Sequence, residues 1–147
     1  MKNILLIAII VSSIVACKST KINTADTAKK ENTGLQVLEG TWELNYISGP
    51  RIAFEGLYPE KKPVITFTVS DSSINGNTGC NNFRGKINVN ATSIHFPDNM
   101  AMTRMMCPGE GETVFLNTLR KINKYSVQGS TLTLISDDIA MMRFIKK

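Results

Sequence analysis

Three observations predict that residues 35–147 form a mostly β domain, an antiparallel sheet of short strands with one α-helix packed on it. Apolar side chains recur at every second position in several separate runs, the period of a strand with one buried face. Gly-Pro, Ser-Asp and Gln-Gly-Ser turns divide those runs, as hairpins require. A single stretch keeps the spacing of a helix face instead.

Each element follows from its own pattern. Trp42, Leu44 and Tyr46 share one face of a first strand, and Ile65, Phe67 and Val69 one face of a second. Phe83, Ile87 and Val89, then Ile94 and Phe96, continue the alternation. Near the end Leu132 and Leu134 alternate with threonines, and Ala140, Met142 and Phe144 alternate with Ile139, Met141, Arg143 and Ile145. Between these runs, Glu110 to about Lys124 sets Phe115, Leu119 and Ile122 at the i, i+4, i+7 spacing of a helix. Glu110 and Glu112 stand at its start and Arg120, Lys121 and Lys124 at its end, as the helix dipole favours. One helix is therefore expected to pack against or plug a curved sheet.

The segments before this domain carry an address. Lys2 precedes an apolar run from Ile4 to Val11 that stops at Ser12 and Ser13, short of the roughly 20 residues needed to span a bilayer. Residues 1–16 are thus predicted to be a secretory signal peptide. Ile14-Val15-Ala16-Cys17 resembles the bacterial lipobox, which implies lipidation of Cys17. Residues 17–34 contain only Ile22 to bury after the cysteine and read as a solvated, flexible tether. Five of the 17 basic residues (Lys2, Lys18, Lys21, Lys29, Lys30) and two of the 12 acidic ones (Asp26, Glu31) lie in residues 1–34, which leaves 12 basic against 10 acidic. So small an excess excludes a nucleic-acid-binding reading built on the whole-chain charge of +5.

With Cys17 taken by lipid, Cys80 and Cys107 remain as an even pair in an exported, oxidising setting, and a disulfide is the default reading. Closing that loop contributes about 3.5 kcal/mol by the chain-entropy model. A free reactive thiol is the competing reading. Cys80 lies in the stretch NGNTGCNNFRG, residues 75–85. Gly76 and Gly79 can take positive φ, and the amides of Asn75, Asn77, Asn81 and Asn82 can bond nearby backbone as turns do. Gly85, inside an alternating strand, suggests a bulge or a close backbone approach where the helix or the other cysteine segment crosses. The stretch reads as a shaped bend stapled to MAMTRMMC, residues 100–107.

Chemistry has weaker grounds. Cys80 with the lone His95 could form a thiol nucleophile and base, but His95 alternates with Ile94 and Phe96 and faces solvent. One histidine and no Cys-x-x-Cys pair cannot build a zinc site. Met100, Met102, Met105, Met106 and Cys107 could offer soft sulfur to cuprous copper, although methionines two apart are more often packing. Of the paired acids, Glu39 with Glu43 flanks a strand, Glu110 with Glu112 suits a helix start, and Asp137 with Asp138 suits a hairpin turn. No catalytic residue, metal ligand or cofactor is expected.

GTWEL at 40–44, NGNTGCNNFRGKI at 75–87, MAMTRMMC at 100–107, Glu112 to Leu119 as E-x-x-F-L-x-x-L, and GSTLTL at 129–134 together resemble the META domain, also called the HslJ-like family. The most specific parts are Gly79, Cys80 and Asn81 with Gly85, and Thr103 with Cys107. The resemblance implies a small antiparallel β-barrel-like fold of lipocalin-like topology with a helix, often carried by envelope lipoproteins. It implies heat-shock and antibiotic-tolerance associations in one branch and supplies no enzymatic activity. The expected protein is thus a non-enzymatic, monomeric lipoprotein, anchored on the periplasmic side of the outer membrane and acting through an envelope protein or cell-wall component. The alternative is a binding module, either an apolar-ligand carrier or a hydrolase inhibitor. A filled interior would favour the contact-making lipoprotein over a carrier.

Overall fold

The computed structural model describes residues 35–147. The expected signal peptide at 1–16, lipidation of Cys17 and tether at 17–34 lie outside the described residues. A 3₁₀ turn, Gln36–Leu38, leads into β1 (Gly40–Ile47), followed by a one-turn helix α1 (Phe54–Leu57), β2 (Val64–Thr68), β3 (Ser73–Asn77) and β4 (Asn82–Lys86). Three two-residue strands come next: β5 (Asn88–Val89), β6 (Ile94–His95) and β7 (Ala101–Met102). Helix α2 (Gly111–Leu119) then precedes β8 (Lys124–Gln128), β9 (Thr131–Ser136) and β10 (Ile139–Lys146).

Eight strands form one antiparallel sheet in the order β7-β4-β3-β2-β1-β10-β9-β8, and β5 with β6 forms a separate ribbon. The sheet curves but does not close by hydrogen bonds into a full barrel. Its β8 edge meets the ribbon at one bridge, Ser93 to Lys124, and Tyr125 donates its hydroxyl to the Asn90 carbonyl at 2.9 Å. That leaves a mostly β fold with a packed helix, as the sequence pattern predicts, and a barrel-like one, as the family resemblance implies. No helix among the described residues is long and apolar enough to cross a membrane.

The predicted inward faces supply the core. Trp42, Leu44, Ile65, Phe67, Phe83, Ile94, Leu132, Leu134, Met142 and Phe144 are all buried, with Phe115, Leu119 and Ile122. Truncating an aromatic ring at such a site typically costs about 3–5 kcal/mol. The Trp42 indole N–H, which burial would otherwise strand, donates to the Leu38 carbonyl at 2.8 Å. Helix α2 meets the sheet through Phe115 against Phe83, ring centroids 6.0 Å apart.

Four expectations need correction. Tyr46 is not on the Trp42 face, because the β1–β10 register shifts between Leu44 and Tyr46; the bulge turns Tyr46 outward and brings Ile47 in. A second shift between Ala140 and Met142 leaves Ala140 exposed. The helix ends at Leu119 rather than Lys124, so its last turn holds no basic residue; Ile122 is buried from a tight turn, and Lys124 opens β8. Finally, α1 is a helix the apolar spacing does not reveal, because four residues are too few to show a period.

Candidate functional site

The β3–β4 hairpin turn, residues 78–81, is built from its own side chains. The Asn77 side-chain carbonyl accepts the Gly79 N–H at 2.8 Å, and Asn77 Nδ2 donates to Asn82 Oδ1 at 2.9 Å. Gly79 sits at φ +95°, where a side chain would be strained and would press on the Tyr58 ring and the Lys61 carbonyl. Gly76, by contrast, has no positive φ. It lies within β3, where an added Cβ would strike the backbone carbonyl of Val64, so its glycine serves a close approach and not a turn.

Asn81 is the hub. Its side chain is 2 % exposed and uses its full bonding capacity. Oδ1 accepts from Thr103 Oγ1 at 2.8 Å and from the Met105 N–H at 2.7 Å. Nδ2 donates to Glu112 Oε1 and to the Met105 carbonyl, both at 3.1 Å. An inverted amide would set donor against donor at Met105, so the network fixes the orientation. The Asn81 backbone N–H reaches Glu112 Oε2 at 3.1 Å, and the Thr78 hydroxyl donates to the same oxygen. One asparagine thereby ties the hairpin turn, the 103–105 segment and the first turn of α2. Glu112 also lies where the helix dipole favours a carboxylate.

The staple lies beside this hub. Cys80 and Cys107 form a disulfide with Cα atoms 6.0 Å apart. Thr103 adds a second tie, since its hydroxyl accepts the Asn82 N–H at 3.0 Å and its own N–H donates to the Asn82 carbonyl at 3.0 Å. Gly79, Cys80, Asn81, Thr103 and Cys107 therefore come together as one unit. Gly85 does not join them. It faces Met100 and Pro97, with Met100 Cγ 3.0 Å from a built Cβ, and the β3–β4 register runs through it without a bulge. The close approach comes from Met100, the first residue of the MAMTRMMC segment, as one of the two expected sources, and α2 takes no part.

Between the 57–61 segment and the 105–109 loop opens a cleft of about 490 Å³, whose floor includes Tyr58, Gly79 and Gly111. Tyr58 is buried and donates its hydroxyl to the Gly111 carbonyl at 3.0 Å; burial pushes its phenol well above the ordinary value. Sequence reasoning missed Tyr58 and, for Glu112, its tie to Asn81. Glu112 fits a helix start so well that its second use leaves no local signal, and Tyr58 lies in a segment with no alternation.

The other candidates are dispersed. His95 is exposed on β6, and Cys80 has its sulfur bonded to Cys107. Glu39 accepts the Val69 N–H at 2.7 Å, and Glu43 pairs with Lys147 at 2.8 Å. Asp137 and Asp138 form the β9–β10 turn. Met100 and Met102 pack against the core whereas Met105 and Met106 are exposed, which splits the soft-sulfur set. Among the described residues no three His, Cys, Asp or Glu side chains gather as a metal-holding group.

The family model of the META domain matches residues 34–147, a span that includes all of the described residues. The chain belongs to the META domain family. Solved structures similar to this META domain include a protein from Burkholderia xenovorans determined by NMR, 21% identical, with a TM-score of 0.60 over 79% of this chain and 88% of that one. A second NMR structure is also 21% identical, with a TM-score of 0.56 over 77% and 93% of the two chains. A DUF4847 family protein from Bacteroides vulgatus is 14% identical, with a TM-score of 0.52 over 76% and 94%. At these identities the likeness establishes the shared fold alone. A comparison with curated proteins finds no match.

Proposed function

We propose that this META domain is a non-catalytic envelope lipoprotein, anchored through Cys17 on the periplasmic side of the outer membrane. In this reading it serves envelope or heat-stress tolerance through contacts made by its disulfide-held loop. One observation carries the contact reading: the polar groups of the site are spent on one another. Glu112 accepts from Thr78 and twice from Asn81, Asn81 is saturated, and no buried side-chain nitrogen or oxygen among the described residues lacks a partner. A catalytic site keeps a base or nucleophile free for substrate; here the outward groups are Met105 and Met106. The carrier alternative has less support, because Trp42, Phe67, Phe115 and Phe144 fill the interior and both described clefts lie at the surface.

A photoreactive residue at position 106 tests this in living cells, with position 139 as control, since Ile139 is also an exposed apolar residue. Discrete crosslinked species at 106 and none at 139 are expected. Failure to crosslink at 106 removes the contact reading. Fatty-acid labelling of wild type and Cys17→Ser tests the anchor separately, with incorporation expected only in wild type.

A further inference from the structure

The methionines of the described residues fall into two groups. Met142 is fully buried, and Met100, Met102 and Met141 are partly buried against the core. Met105 and Met106, consecutive in the loop between β7 and α2, are 58% and 101% exposed. A thioether reacts with peroxide at a rate governed by its access. Thiols would react first, but Cys80 and Cys107 are bonded to each other, so neither competes. Met105 and Met106 therefore offer the most accessible reduced sulfur on the described surface.

The loop that carries them is fixed independently of their side chains. Asn81 holds both the N–H and the carbonyl of Met105, and Cys107 is bonded to Cys80. A change in chemistry at the two tips leaves those ties intact.

We propose that Met105 and Met106 form an oxidant-responsive modification site at which hydrogen peroxide converts the thioethers to sulfoxides. In each event the sulfur lone pair attacks one peroxide oxygen, an S–O bond forms and the O–O bond breaks. The sulfur loses two electrons, and the departing hydroxide takes a proton and leaves as water. A methionine sulfoxide reductase, drawing electrons from a thiol donor, returns the thioether. The regulatory consequence rests on the contact function proposed above: an apolar, polarisable tip becomes polar, so oxidation weakens contacts made there while the fold persists.

Full-length protein treated with limiting hydrogen peroxide, then digested and followed by mass spectrometry, tests this residue by residue. Met105 and Met106 should gain oxygen about tenfold or more faster than Met142. The Met105→Leu/Met106→Leu variant should melt like wild type and lack the fast phase. The oxidised wild type should keep its melting temperature, and reductase should restore its mass. Equal rates at Met106 and Met142 would overturn the proposal, as would a melting temperature that falls with the first oxygens added. No partner enters this assay, so its failure is distinguishable from a failed crosslink at position 106.

Discussion

The β3–β4 and β9–β10 turns lie at the same end of the sheet, since β3 runs parallel to β1 and β10 starts beside the end of β1. Each is tied down by one asparagine. In the first, Asn81, itself buried, bonds Thr103, Met105 and Glu112. In the second, Asn123 Nδ2 donates to Asp137 Oδ1 and Asn123 Oδ1 accepts the Asp137 N–H, both at 2.9 Å, while Lys124 pairs with Asp138 at 3.1 Å. The Asp138 side chain there is 96% exposed, so solvent competes for the bond and replaces it when it is lost. Around Asn81 water has less access, so a lost bond is replaced less readily and more of the desolvation cost is retained. A polar tie gains structural weight from its burial more than from its number of bonds.

Asn81→Ala should break the buried turn hardest, at about 3–4 kcal/mol, because Glu112 and the Met105 amide lose partners together. Urea denaturation measures this; a cost near that of an ordinary surface substitution would remove Asn81 from its place as hub. The double replacement Cys80→Ala/Cys107→Ala should come next, at about 2–3 kcal/mol, somewhat below the chain-entropy figure because Asn81 still holds Met105. Thiol counts on the folded protein should show Cys80 and Cys107 unreactive until reductant is added. At the exposed turn, Asn123→Ala should cost about 1 kcal/mol and Asp138→Ala no more than about 0.5 kcal/mol, the latter vanishing at high salt. Thermal melts that placed Asn123→Ala level with Asn81→Ala would erase the contrast between the turns.

The same contrast explains what could be read from sequence. Trp42, Leu44, Phe67, Leu132 and Phe144 were legible as core because alternation is a local consequence of the pleat. Tyr46 and Ala140 depart from the alternation because their bulges arise from the register against a partner strand, which no local pattern records. Ile122 fits a helical period by coincidence of spacing, while its burial comes from the turn that carries the chain into β8. Within the site, Gly79 and the cysteine pair had local or chemical signatures, and Asn81 and Thr103 rested on resemblance to the META domain. Glu112 shows as a helix start and within the E-x-x-F-L-x-x-L run, but its tie to Asn81, like the bond Tyr58 makes to Gly111, exists only once α1, the hairpin and α2 have met.

The pairing of β1 with β10 has a kinetic consequence. These strands sit side by side near the middle of the sheet, yet they stand at opposite extremes of the described sequence. A growing polypeptide has β1 through β9 available before any of β10 has been made, so the central ladder waits for the last strand. Until then β1 and β9 each present an open edge able to pair with another nascent chain. Closing so distant a pair is slow because its loop entropy is lost before its contacts form. Completion of this sheet therefore waits on its last strand, and loss of β10 would leave two aggregation-prone halves.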